Sequence, residues 1–171
     1  DQIDALFYNF QTVAAMLIIF GILFIVIENY NKGRKPIVKD MNQLTYKMAI
    51  VIGLFQLIAA IFPGTSRSGA TILGALLIGV SRDVAAEFTF FLAIPVMFGA
   101  SLLKLLKFGF VFTSFQLIVL IVGMVVAFVV SIWAIKFLVG YIKKNDFKVF
   151  GWYRIILGAI LLIYYFFMIR S

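Results

Sequence analysis

The sequence predicts an all-α, polytopic membrane helix bundle, and three observations carry that prediction. Hydrophobic residues make up 64% of the 171 and charged residues only 13%, too little polar surface to cover a soluble globule. Charge-free windows of spanning length recur between short polar connections. The basic residues collect in those connections, which is how membrane topology is encoded. The formal net charge of +8 therefore reads as topology and gives no case for a nucleic-acid partner. With no Cys and no His, disulfides, thiolates and imidazole bases are excluded, leaving carboxylates, hydroxyls, amides, Lys and Arg for chemistry.

The elements follow in order. Ala5 to Ile27 carries no charge, and Val13–Ile27 with its flanks is long enough to cross a bilayer before Glu28-Asn29-Tyr30 ends the span. Asn31–Asp40, with Lys32, Arg34, Lys35 and Lys39, is a basic loop in which Pro36 disfavours helix. A second helix is expected from about Asn42 to Phe62, stopping at Pro63-Gly64, and a shorter one from near Ser68 to Gly79. Eleven or so helical residues climb only about 16 Å, half the hydrocarbon thickness, so the pair reads as a re-entrant, broken-helix hairpin. Ser81-Arg82-Asp83 is a cap for the next helix, which reaches Leu106 and contains a bend-inducing Pro95. A further span is expected at Phe115–Leu138 after a turn near Phe112-Thr113-Ser114. A basic connection follows at Tyr141–Lys148, and a last helix at Phe150–Ile169 has Trp152-Tyr153 and Tyr164-Tyr165 towards its two ends. Glu28, Asp83 and Asp146 read as interfacial. The whole of 1–171 is one integral membrane domain. Because it opens at Asp1 and shows no signal-peptide pattern, it is expected to be an incomplete chain.

Chemistry points to Pro63-Gly64-Thr65-Ser66-Arg67-Ser68-Gly69. Arg67 is the only charge between Met48 and Ser81, and an ionisable side chain at such depth is a functional-site hypothesis by default. Pro63 stops the incoming helix, Gly64 permits a turn, and Ser68 is the expected N-cap of the outgoing one. The first amides of that helix, near Gly69–Thr71, then lack intrahelical partners. Together with the helix dipole and the planar fork of Arg67 they make an oxyanion site. Thr65 and Ser66 add hydroxyl donors. Irregular backbone at this depth must line protein or a wet cavity. The competing reading has Arg67 snorkelling or paired with a carboxylate while the small residues pack helices closely. If both basic loops face the cytosol, the tip points outward; Lys104 and Lys107 run against that count.

Phe62-Pro63-Gly64-Thr65-Ser66-Arg67-Ser68-Gly69-Ala70-Thr71-Ile72, followed by Gly79-Val80-Ser81-Arg82 and by Ala86-Glu87-Phe88-Thr89-Phe90-Phe91-Leu92-Ala93-Ile94-Pro95, resembles the bacterial undecaprenyl-diphosphatase family, also called bacitracin-resistance proteins. The resemblance implies a multi-pass phosphatase of the bacterial inner membrane. Such an enzyme cleaves undecaprenyl diphosphate to the monophosphate carrier used in cell-wall synthesis, at a site open to the outer face. It also implies an inverted-repeat architecture, of which this chain is the second repeat. Family members carry a Glu-rich motif and a Pro-Ile-Ser-Ser-Thr-Gly-His stretch in their first half. This chain has neither, so the resemblance covers about the C-terminal two-thirds and implies that nucleophile and base lie in the missing half.

Arg67, Ser66 and Ser68 are accordingly the candidates for catalysis, and Thr65, Gly64, Gly69, Gln56 and Glu87 for substrate binding. Gln56 occupies the place where the first repeat of such proteins has a Glu. It shares a stripe with Gly53 and Ala60 and is equally readable as an interhelical hydrogen-bonder. Glu87, one turn after Asp83, either positions Arg67 or pairs with Arg82. The Phe runs Phe88–Phe91 and Phe108–Phe115 are bundle or lipid contacts, a minority of them lining a groove for an isoprenoid tail. No metal site is visible in the residues; a divalent cation, Mg or Ca, is expected only in company with the diphosphate. The partners expected are the polyprenyl diphosphate and the membrane, with a homodimer also allowed. The alternative function is a carrier or flippase that binds the lipid diphosphate without cleaving it.

Overall fold

A computed structural model describes residues 10–109, 112–142 and 144–170. The start of the charge-free run at Ala5, Phe110 in the second Phe run and Lys143 in the second basic connection lie outside the described residues. Among the described residues six α-helices form: α1 (Phe10–Tyr30), α2 (Tyr46–Ile61), α3 (Arg67–Leu77), α4 (Arg82–Phe108), α5 (Ser114–Ile142) and α6 (Lys148–Arg170), with a 3-10 turn at Met41–Gln43 ahead of α2. α1, α4, α5 and α6 are long and apolar enough to cross a membrane. The 16-residue α2 and 11-residue α3 are not.

The helix boundaries have local causes. Thr45 caps α2 by accepting from the Met48 amide at 3.3 Å, and Pro63-Gly64 follows its last turn. α3 ends where Gly79 takes φ +84°, which a residue with a Cβ rarely adopts. The extended segment after α1 then folds back on this turn. Ile37 donates to the Gly79 carbonyl at 2.8 Å, and Val38 and Val80 pair as a single parallel bridge.

α1 and α6 pack most closely, because Gly21 and Gly151 face each other. A Cβ on either would stand 2.7 Å from the other's carbonyl oxygen, the small-residue contact that brings helices together in lipid. α3 is the most buried helix: every residue from Gly69 to Leu76 is buried. It packs on α2, α4 and α1. The hydroxyl of Thr71 meets that of Thr89 at 3.0 Å in the interior, joining α3 to α4. α5 stands apart, exposed along nearly its whole length, as a helix whose partners are lipid or further protein would be.

The carboxylate of Glu28 is buried in the bundle, only 2% exposed. Both its oxygens accept from Arg82, at 3.0 Å from Nε, and Oε1 also accepts the Phe147 amide at 3.0 Å. This clamp ties the C-terminal end of α1 to the starts of α4 and α6.

Candidate anion site at the helix-pair tip

The α2–α3 connection, residues 62–66, is the point on which the candidate residues converge. Gly64 adopts φ +85°, and a Cβ there would lie 2.6 Å from the Val13 carbonyl oxygen. Glycine is therefore required twice, for the turn and for the close approach of the tip to α1. Ser66, not Ser68, is the N-cap of α3: its Oγ accepts from the Gly69 amide at 3.1 Å and its carbonyl accepts from Ala70 at 2.8 Å. The helix begins at Arg67, two residues earlier than a Ser68 cap allows, so the cap shifts two residues back. Ser68 is exposed and contacts the Ser66 hydroxyl at 3.1 Å. The amides of Arg67 and Ser68 remain as open donors at the positive end of the helix.

Arg67 is half-buried and turned towards α4, where its Nη2 lies 3.4 Å from the Met97 sulfur. A thioether is a weak acceptor, so almost all of the guanidinium's donor capacity is unspent. No carboxylate pairs with it among the described residues. Glu87, one candidate partner, is exposed and joins neither Arg67 nor Arg82, whose charge is taken by Glu28. Gln56 is half-buried on α2, with no hydrogen bond to the tip.

The other side of the tip holds a residue that sequence reading passed over. Arg154, on α6, is 7% exposed. Its Nη2 donates to the Gly64 carbonyl at 3.0 Å, and a Cβ on Gly69 would sit 2.9 Å from its Nη1. Its Nε is buried without a partner, as is the hydroxyl of Thr65. Unsatisfied donors of this kind cost free energy, and a charged one more than a neutral one. Both groups line one cavity of about 420 Å³, together with Ser66, Ser68 and Gly69, and Leu17, Phe24, Ile72, Leu138 and Phe150 add apolar walls. The signal for Arg154 was present: it is the only charge between Phe150 and Ile169, the same argument that singled out Arg67.

Two guanidinium groups, open helix-start amides and hydroxyls thus flank one tip, and among the described residues no carboxylate neutralises them. The arrangement suits a phosphate or diphosphate. Among the described residues no three Asp, Glu, His or Cys side chains converge, so the residues present do not fit a divalent ion.

The family model described as bacitracin resistance protein BacA matches residues 1–160. Over 165 residues the chain is 75% identical to an undecaprenyl-diphosphatase of Desulfitobacterium hafniense, covering 96% of this chain and 59% of that protein. It is 69% identical to undecaprenyl-diphosphatase 1 of Clostridium acetobutylicum over 96% of this chain and 60% of the relative. With an undecaprenyl-diphosphatase of Enterococcus faecalis the identity is 62% over 98% of this chain and 61% of the relative. The chain spans about three-fifths of the length of these curated relatives.

Proposed function

Because the chain belongs to the bacitracin resistance protein family, we propose that it supplies the phosphate-binding part of a membrane phosphatase. The reaction is hydrolysis of undecaprenyl diphosphate to the monophosphate and inorganic phosphate. The single observation that carries this reading is the pair of arginines flanking one helix start with most of their donors unspent, Arg67 towards α4 and buried Arg154 towards α6. The names of the relatives supply the substrate.

In this reading Arg67, Arg154 and the open amides of α3 hold the diphosphate oxygens. They neutralise charge that builds on the transferring phosphoryl group, so the chain works by positioning and electrostatics. Thr65 donates its free hydroxyl to the same anion. Gly64 and Gly69 let the backbone and Arg154 approach it. Ser66 holds the helix start in place, and exposed Ser68 presents its hydroxyl beside it. Gln56 and Glu87 are assigned to orienting water at the margin of the site. The attacking oxygen and its base come from the length of the family protein that this chain does not match. A divalent cation has no ligand set among these residues, and no step is assigned to it.

The short α2–α3 pair is proposed to be re-entrant, belonging to one half of an inverted repeat, with its tip facing the outside of the bacterial inner membrane. The basic loops then face the cytosol. α5 faces the bilayer and the rest of the family fold, and a homodimer contact would compete for the same surface.

Two experiments test this. The purified 171-residue chain should bind a polyprenyl diphosphate without releasing phosphate above background, whereas a full-length family protein carrying its sequence should release it. Phosphate release by the chain alone would overturn the division of labour. For the orientation, in cells expressing that full-length protein Ser68→Cys should react with a membrane-impermeant thiol reagent, and Lys35→Cys only after permeabilisation. The reverse pattern would invert the topology.

A further inference from the structure

We propose that the cavity between the tip, α5 and α6 receives the first isoprene units of the lipid tail, with Leu138 and Phe150 setting how bulky a chain is accepted. The inference rests on the reading that the tip holds the diphosphate, and adds where the rest of the molecule goes.

The cavity lining is of two chemical kinds. Its buried, unpartnered polar groups are the Thr65 hydroxyl and the Arg154 Nε. The remaining lining is almost wholly apolar: Leu17 and Phe24 from α1, Ile72 from α3, Leu138 from α5, and Phe147 and Phe150 at the start of α6. A polar ligand leaves that wall without matching apolar surface, and an apolar one leaves the guanidinium and hydroxyl unsatisfied. An amphiphile with an anionic head satisfies both. The volume of about 420 Å³ holds a headgroup and a short stretch of chain, not a long polyprenyl tail, whose remainder must leave into the bilayer. The way out is beside Leu138, half-buried near the end of an otherwise exposed α5, and Tyr153, which is 63% exposed on α6.

A second groove competes for the tail. It runs between α4 and α5, has a volume of about 740 Å³, and is lined by Phe90, Phe91, Ile94 and Met97, the last in contact with Arg67. Its charged lining residues, however, are the carboxylates Asp83 and Glu87, which repel phosphate, and no buried unpartnered donor opens into it. The tail is therefore assigned to the α5–α6 side, whereas the sequence left a minority of the Phe88–Phe91 and Phe108–Phe115 runs open to that role.

The test uses a full-length family protein carrying this sequence, in lipid nanodiscs, and a farnesyl diphosphate analogue with a photoreactive diazirine on its second isoprene unit. Covalent label should map to Leu138 and Phe150, disappear with excess unlabelled farnesyl diphosphate, and survive the same excess of farnesol. Leu138→Trp, which fills the mouth, should cut labelling and raise KM for prenyl diphosphates about tenfold. Leu138→Ala, which cannot obstruct the mouth, should keep the labelling. Competed label on Phe90–Met97 would overturn this proposal and leave the diphosphate reading standing. Label that farnesol removes as well as the diphosphate does, or no competed label at all, would overturn both.

Discussion

Arg82 and Arg154 are two arginines drawn into the same helix bundle, and the protein treats them oppositely. Arg82 faces a carboxylate whose acceptors are saturated: Glu28 takes the Arg82 guanidinium and the Phe147 amide, and the three groups close on one another. Arg154 is given one carbonyl oxygen, that of Gly64, and its Nε is left bare beside a bare Thr65 hydroxyl. Arg67 likewise has only a thioether. Folding favours the first arrangement and tolerates the second only if a ligand completes it. A cation satisfied by the protein's own anion is scaffold; one held open is a binding group.

The largest effect that comparison predicts is kinetic. In a full-length family protein carrying this sequence, Arg67→Ala and Arg154→Ala should each lower kcat/KM at least about 100-fold, the scale of losing a donor to a developing oxyanion. Arg67→Lys and Arg154→Lys, which keep charge but lose the planar fork, should still lose about tenfold or more. Arg82→Lys should stay within about twofold per folded molecule, since its partner never meets substrate. Steady-state phosphate release on matched amounts of folded protein decides it. An Arg82→Lys defect as deep as that of Arg154→Lys would erase the distinction between clamp and site.

How much of this was legible in the sequence depends on how far apart the partners lie. Every helix among the described residues was readable, because apolar windows, Pro63, Gly64 and the hydroxyl caps are local signals, and the short α3 was found at its observed length. Arg67 was readable because it is isolated in an apolar stretch. Arg154 carries the same signal, as the only charge between Phe150 and Ile169, but nothing local to it in the sequence marks a partner. What lifts it out is Gly64, 90 residues away. The partners of Glu28 were illegible for the same reason: they lie 54 and 119 residues along the chain. The Ser66 cap was missed by two positions because Ser66 and Ser68 are chemically equivalent in the string, and only the start of α3 at Arg67 tells them apart.

A middle-sized effect sharpens the comparison from the other end. Glu28→Gln removes the anion but not the shape, leaving Arg82 facing an amide that accepts poorly in two directions. Because the Arg82 side chain is 42% exposed, water recovers part of the loss, and the cost should be about 1–3 kcal/mol, not the larger penalty of a fully buried orphan charge. Thermal unfolding in detergent reads this directly, as a lowered midpoint with KM unchanged for the surviving fold. A variant with an unchanged midpoint and a raised KM would make Glu28 part of the substrate site after all.

The smallest effect separates two hydroxyls two residues apart. Ser66 accepts the Gly69 amide and caps the start of α3; Ser68 is exposed and bonds no backbone amide. Loss of an N-cap costs about 1 kcal/mol, and this one acts on a helix held by burial from Gly69 to Leu76, so the damage should remain within the first turn. Hydrogen exchange at the Gly69 amide should therefore speed up about fivefold in Ser66→Ala, the change in opening equilibrium that 1 kcal/mol gives. In Ser68→Ala it should not change. The kinetic consequence follows from geometry: fraying moves the open amides of Arg67 and Ser68 away from the anion they would hold. Ser66→Ala should then lose activity through a higher KM, and Ser68→Ala should lose only what its own hydroxyl contributes. If Ser68→Ala is the variant whose Gly69 amide exchanges faster, the helix starts later than Arg67, and the first open donors of the site are those of Gly69 and Ala70.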